Sequence, residues 1–322
     1  MRRLSYEEFE EEKSAFAGAI QRTDYLAKFC SNLPWQCAAY QYLTGIDFGV
    51  NDALQCLVVE EDGNWIAFAE RHQGIFFPFE SAWMFGCPLI GDPVRVLKLM
   101  EEAAREYIGG DCGFLISGVL AGSGMHAELR GLRERARRFE EFDTTHCMTI
   151  DLSEGPDRFL ERRSRSFRKG IRQMKTVENL EFEDASGQSP TELFERILRI
   201  QSLSYKSKEG GDIFSDYRYE SFYRELCRHL HEQGDLRITF ARIEGTDAAY
   251  ILGGVNGPIY RGFQMSYDNQ FRTLALGNRL QLDNIRRMSE AGITHYDLGM
   301  HSPYKERWAD HHEQFKGVFV QL

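Results

Sequence analysis

The chain has 322 residues, and 39 Lys and Arg against 49 Asp and Glu leave a formal charge of −10. Hydrophobic residues at 42% and charged residues at 27% describe a folded chain, neither disordered nor fibrous. No apolar run approaches the ~18–20 residues that cross a bilayer, and the acidic balance excludes a globally cationic nucleic-acid binder.

In chain order, Phe9, Phe16 and Ile20 fall at helical spacing and predict a helix over 6–20. Two strands, 54–59 and 65–69, flank the hairpin signal Glu61-Asp62-Gly63-Asn64. Gly86-Cys87-Pro88 and Gly91-Asp92-Pro93 mark a loop, followed by a helix over 94–107 and a buried strand over 113–117. A charged helix over 126–140 and a strand over 145–152 complete a mixed α/β domain, residues 1–150. The second domain, 151–322, opens with helical segments over 156–175 and a strand over 180–183. Ser189-Pro190 starts a helix to about 203, with Ser as N-cap and Pro in the first turn, and another helix covers 216–232. Strands over 236–243, 248–255 and 258–266 are joined by tight turns at Glu244-Gly245-Thr246-Asp247 and Asn256-Gly257-Pro258. A helix over 276–291 stops at Gly292, and segments 294–298 and 315–320 read as strands. No repeat by residue identity emerges, although both halves are mixed α/β units of similar size.

The 7 cysteines are scattered and lack any CxxC pair, so they read as reduced thiols in a reducing compartment. The N-terminus enters an acidic helical pattern without a signal-peptide core. A cytoplasmic location without membrane insertion is therefore expected.

The most informative segment runs from Tyr260 to Arg287. A strand ending Gln264-Met265-Ser266-Tyr267-Asp268 leads through Arg272-Thr273-Leu274-Ala275-Leu276-Gly277-Asn278 into a helix. Free amides at such a helix start, with the positive end of the helix dipole, bind phosphate without a cationic side chain. The competing reading is an ordinary strand-to-helix turn eased by Gly277.

Three antiparallel strands, this loop and helix, and a strand ending Tyr296-Asp297-Leu298-Gly299 resemble the GNAT acyltransferase superfamily. In that fold the loop after the fourth strand, with an Arg/Gln-x-x-Gly-x-Gly/Ala pattern, holds the pyrophosphate of coenzyme A. Arg272 and Gly277 match, whereas Ala275 stands where the first glycine is usual. The sequence further resembles the CelD-type branch, related to Fem-type aminoacyl-tRNA-dependent peptidyl transferases. That likeness rests on His146-Cys-Met-Thr-Ile-Asp-Leu152, the basic run 162–172, Ser204-Tyr205-Lys206 in place of Ser-Trp-Lys, Tyr267-Asp268, Asp297-Leu-Gly299 and Tyr304-Lys305. It implies an α/β fold of tandem GNAT-like modules, the first degenerate and the second carrying the active site.

The resemblance assigns Arg272, Leu274, Ala275, Leu276, Gly277 and Asn278 to the carrier's phosphates. It assigns the strand backbone near Met265 or Ser266 to the thioester carbonyl. Asp268, or as second choice Asp297, would take the amine proton. Tyr304 or Tyr267 would protonate the leaving thiolate, and Lys305 would bind phosphate or stabilise an oxyanion. Tyr205, Lys206, Gln264 and Tyr267 would line the acceptor pocket. The function implied is N-acyl transfer from acyl-CoA to a small-molecule, peptide or sugar amine, direct and without a covalent enzyme intermediate, since neither Cys147 nor Cys227 lies in a nucleophile context. Two alternatives stay open: a Fem-type transferase using aminoacyl-tRNA, and a non-catalytic binding or scaffold protein.

Read without any family, Arg162, Arg165, Arg168, Lys169, Arg172 and Lys175 fall within roughly 140° of one helix circumference, with no acid between 162 and 175. Such a stripe suits a polyanion, coenzyme A phosphates or tRNA, or is simply a solvated face. Phe167, Ile171 and Met174 are expected to pack on another face. The aromatic group from Tyr205 to Tyr223 is expected to be largely core. His301, His311 and His312 lack any carboxylate-plus-His metal spacing, and no metal is expected.

Overall fold

The computed structural model describes all residues except 45–54, 73, 110, 175 and 209. It divides into two compact units, Met1–His146 with Glu313–Leu322, and Cys147–His312. The boundary therefore falls a few residues before the expected 150, and the last ten residues return to the first unit.

The first unit runs β1 (Arg2–Leu4), α1 (Tyr6–Glu11), α2 (Lys13–Gln21), α3 (Leu33–Tyr42), β2 (Cys56–Glu61), β3 (Asn64–His72), β4 (Ile75–Pro78), β5 (Leu89–Ile90), α4 (Pro93–Ala103), β6 (Gly113–Leu120), α5 (Gly124–Gly131) and β7 (Arg138–Asp151), the last continuing into the second unit. The second unit continues with α6 (Pro156–Arg162), α7 (Arg165–Arg172), β8 (Leu180–Asp184), α8 (Pro190–Ser202), α9 (Tyr205–Lys208), α10 (Tyr217–Gln233), β9 (Leu236–Ile243), β10 (Thr246–Asn256), β11 (Ile259–Tyr267), α11 (Leu276–Glu290), β12 (His295–Met300) and α12 (Pro303–Glu306). Strand β13 (His311–Gln321) closes the chain.

The two units share one plan. In the first, β1, β2, β3 and β4 pair antiparallel in succession, and β6 then pairs parallel to β4 after helix α4. In the second, β8, β9, β10 and β11 do the same, and β12 pairs parallel to β11 after α11. The next strand is antiparallel in both cases but comes from unexpected places in the chain: β13 on β6, and the end of β7 on β12. This exchange explains why residues 313–322 belong with the first unit. The sequence hides the repeat because it lies in strand order and direction, not in residue identity.

Several elements differ from expectation. The helix over 6–20 is broken at Glu12 (ψ 27°), yet Phe9, Phe16 and Ile20 are all buried as their spacing requires. The helix over 94–107 ends as a π-turn over 104–108, stopped by Gly109. Residues 138–140, expected to be helical, already belong to β7, because α5 ends at Gly131. Ser189 caps α8 in position only, since its side chain accepts no hydrogen bond there. The expected strand start at residue 54 lies outside the described residues.

In the second unit, Phe159, Phe167, Ile285, Tyr260, Tyr296 and Trp308 form one apolar cluster, with Phe167 edge-on to Trp308 at 4.9 Å. Ile171 and Met174 pack against it, as their spacing predicts. Phe214, Phe222 and Tyr223 are buried, whereas Tyr217 is exposed. All seven cysteines are free thiols. Among the described residues, no helix is long and apolar enough to cross a membrane.

Candidate active site

The site lies where β11 and β12 part. Their parallel pairing covers only Ile259–Arg261 against His295–Asp297. Immediately afterwards β11 carries an extra residue, Phe263, because Leu252 pairs with Gln264 while Gly253 pairs with Gly262. A bulge bends its strand, here two residues beyond the last one shared with β12. Strand β12 carries its own irregularity between Asp297 and Gly299. Gly299 adopts φ +83° there, a conformation open to glycine at little steric cost. Two bulges on facing strands thus open a fork lined by the second halves of both.

A short 3₁₀ helix, Asn269–Leu274, leads from β11 to α11. Ala275 joins the two helices at φ +52°, taking the left-handed conformation that the usual glycine would adopt more readily. No side chain caps α11, and its first turn holds no acid. The amides of Leu276, Gly277 and Asn278 therefore begin the helix without a side-chain acceptor. Gly277 sits close to β11: a Cβ there would lie 3.5 Å from Met265 Cε. Arg279 Nε bonds the Leu274 carbonyl at 2.9 Å and fixes the turn, and Arg272 is exposed on the 3₁₀ helix.

The first unit shows the contrast. Helix α4 stands where α11 stands in the second unit's order, but Asp92 caps it, accepting from the Arg95 amide at 3.0 Å, and Pro93 removes one N–H. A cavity of about 720 Å³ at this end is lined by Asp24, Asp62 and Asp92 as well as Arg22 and Arg95. A negative cap already occupies the place an anion would take at α4, whereas the start of α11 carries none.

The side chains named from sequence divide into two groups. Brought to the fork are Lys206, Met265, Tyr267, Gly277, Tyr304 and Lys305. Lys206 Nζ donates to the Met265 carbonyl at 2.8 Å, and the Tyr205 and Tyr267 rings lie 6.3 Å apart. Tyr304 donates to the Gly277 carbonyl at 3.3 Å, linking α12 to the start of α11, and burial raises its phenol pKa. Lys305 Nζ stands 3.4 Å from where a Gly299 Cβ would be. Desolvation, with the nearby Arg261 charge, pushes its pKa down to about 8.

The second group is held in structural bonds. Asp268 caps the 3₁₀ helix, accepting from the Gln270 amide at 2.9 Å and its side chain at 2.7 Å. Asp297 forms a buried ion pair with Arg261 and accepts from the Gly299 amide at 2.7 Å. Gln264 Nε2 reaches the Tyr223 hydroxyl at 3.4 Å. Ser266 Oγ is buried with no hydrogen-bond partner.

Arg261 was not singled out from the sequence, and Cys147 was considered only as a nucleophile. Arg261 Nη1 also lies 3.4 Å from Cys147 Sγ. A buried arginine calls for a carboxylate, and Asp297, on the neighbouring parallel strand, supplies it at the paired position.

The basic stripe is not continuous. Backbone ψ of 153° at Arg163 ends α6, and Ser164 caps α7. Arg162 is consequently turned into pairs with Asp310 at 3.0 Å and Glu154 at 3.5 Å. Arg165, Arg168, Lys169 and Arg172 remain exposed on α7 and, among the described residues, form no ion pair. Lys175 lies outside the described residues. His301 Nε2 meets Glu306 at 2.7 Å, and among the described residues no group of three or more potential metal ligands gathers.

A forked mixed sheet thus carries an uncapped helix start on one side and a half-buried ammonium on the other. Residues 161–306 match the family model described as "Acetyltransferase (GNAT) domain", and the second unit accordingly carries a GNAT-type domain. The first unit repeats the strand plan of the second. Solved structures share this fold at low identity. FemX has TM-score 0.67 and 13% identity over 98% of this chain and 97% of that one. A conserved protein of unknown function from Bacteroides thetaiotaomicron has TM-score 0.67 and 11% identity over 97% of each chain. The C-terminal domain of a lysylphosphatidylglycerol synthetase homologue from Agrobacterium fabrum has TM-score 0.56 and 13% identity over 99% of this chain and 93% of that one. Among curated proteins, none matches.

Proposed function

We propose that the second unit transfers an acyl group from acyl-CoA to an amine, directly and without an acyl-enzyme. The observation that carries this reading is the start of α11: three amides without a side-chain cap, beside a fork wide enough to separate two strands. Leu276, Gly277 and Asn278 would hold the pyrophosphate with Arg272 at the rim, and Leu274 and Ala275 shape the turn. The main chain at Met265 and Ser266 faces the thioester, and the Lys305 ammonium stabilises the oxyanion that develops on its carbonyl. The Tyr304 phenol supplies a proton to the departing thiolate. Tyr205, Lys206, Gln264 and Tyr267 border the acceptor. Asp268 and Asp297, fully engaged in hydrogen bonds, position the strand ends, and the amine proton leaves through water.

The test is thiol release from acetyl-CoA and longer thioesters with an amine panel. Saturable thiol release that falls as pH rises through about 8 supports the assignment of Lys305 as a cation. Absence of both thioester binding and turnover refutes it.

A second reading keeps the fold and takes aminoacyl-tRNA as donor. It is favoured by the four unpaired cations of α7 and the fold shared with FemX. It requires tRNA binding that weakens steeply with salt, by roughly 0.9 in log K per log salt for each duplex phosphate neutralised.

A further inference from the structure

The fork holds more positive charge than its own residues neutralise. Lys206 donates to one carbonyl, and among the described residues no carboxylate pairs with it. Asp212 acts on it at longer range, but that carboxylate accepts from Gln201 at 2.9 Å and the Phe214 amide at 3.0 Å. Lys305 likewise has no carboxylate partner among the described residues; Asp297, the acid acting on it, is bound by Arg261 and the Gly299 amide. The acids acting on the two lysines, Asp212 and Asp297, are thus each already engaged by other donors. The Cys147 thiol contributes only a weak acceptor, to Arg261. Desolvation lowers the pKa of both lysines, and the charge on Lys206 lowers that of Lys305 further. Two ammoniums that repel each other while half-buried are stabilised by an incoming anion.

Resting on the acyltransferase reading, we infer that the fork seats a carboxylate of the substrate between Lys206 and Lys305, carried either by an amino-acid acceptor or by a dicarboxylic acyl group. A substrate carboxylate offsets one of the two ammonium charges, and the other meets the developing oxyanion. The buried, unpartnered Ser266 hydroxyl lies on the same strand as the Met265 carbonyl that Lys206 already holds. The reaction itself is unchanged. The amine nitrogen bonds to the acyl carbon, the C–S bond breaks, the thiolate takes the Tyr304 proton, the amine proton leaves to water and water restores the Tyr304 phenol, and the carboxylate takes no part in bond making.

The experiment is thermal denaturation of the full chain with β-alanine or succinate, each against its neutral amide, for the native protein, Lys206→Met, Lys305→Met and Lys206→Arg. The acids should raise Tm by about 3 °C at ten times Kd and the amides should not. Each Met variant should weaken acid binding at least tenfold, while Lys206→Arg retains it. A response to β-alanine places the carboxylate on the acceptor, and one to succinate places it on the acyl group. Equal response to acids and amides, no response to either, or undiminished acid binding in both Met variants overturns the inference. Thioester turnover without carboxylate binding removes this inference and leaves the acyltransferase reading standing. Carboxylate binding without any thioester turnover does the reverse.

Discussion

Replacing Lys305 by Met should stabilise the protein while impairing it. The Lys305 pKa falls from 10.5 to about 8 chiefly because folding strips water from its ammonium. That difference corresponds to about 3 kcal/mol by which the charged form opposes folding. The sign follows from proton binding. Between pH 8 and 10.5 the unfolded chain holds the proton more tightly than the folded one, so stability rises with pH across that window. Below about pH 8 both states are protonated and the full penalty applies. Met keeps most of the aliphatic stem and removes the charge, so Lys305→Met should be about 2–3 kcal/mol more stable at pH 7. Urea denaturation of both proteins at pH 7 and pH 10.5 measures this, because titrations common to the two cancel in the difference. The advantage should nearly vanish at pH 10.5, and acyl transfer at pH 7 should fall about 100-fold. A variant less stable than the native protein at pH 7, or an advantage unchanged at pH 10.5, refutes the reasoning.

Asp297→Asn leaves Arg261 buried without a counter-ion and should lose about 3–5 kcal/mol in urea denaturation. It should also move the Lys305 titration to lower pH, because Asp297 raises that pKa. Ala275→Gly relieves a left-handed alanine and should gain about 1 kcal/mol, whereas Ala275→Val should lose more than that, both read from denaturation midpoints. If tRNA is the donor, Arg168→Glu with Lys169→Glu should weaken its binding more than tenfold and flatten the salt dependence.

Much of the second unit was legible in the sequence. Alternating strands with Glu244-Gly245 between them predict the β9–β10 hairpin, and these two residues take φ +51° and +77°, as a tight turn between twisted strands requires. Helix α3 escaped notice for the opposite reason: Leu33 to Ala39 are all buried, so no polar face marks a period. Residues 138–140 misled because charges spread along an exposed strand resemble a solvated helix.

At the site, the phosphate loop, Tyr304 and Lys305 could be named from local motifs. The Arg261–Asp297 pair could not, because it depends on register between strands separated by a helix. The Phe263 bulge leaves no mark in Gly262-Phe263-Gln264. Arg162 was misplaced because a run of arginines hides the break at Arg163, although Ser164 is a ready N-cap.

The account depends most on the start of α11 as an anion seat. Asn278→Asp is nearly isosteric, adds a carboxylate to the helix's first turn, and should leave stability equal or up to about 1 kcal/mol higher. Calorimetric titration with coenzyme A should show binding to the native chain and at least tenfold weaker binding to this variant, through repulsion of the pyrophosphate. Equal affinity in the two proteins, or no binding by the native chain, would contradict the claim that these amides hold the carrier.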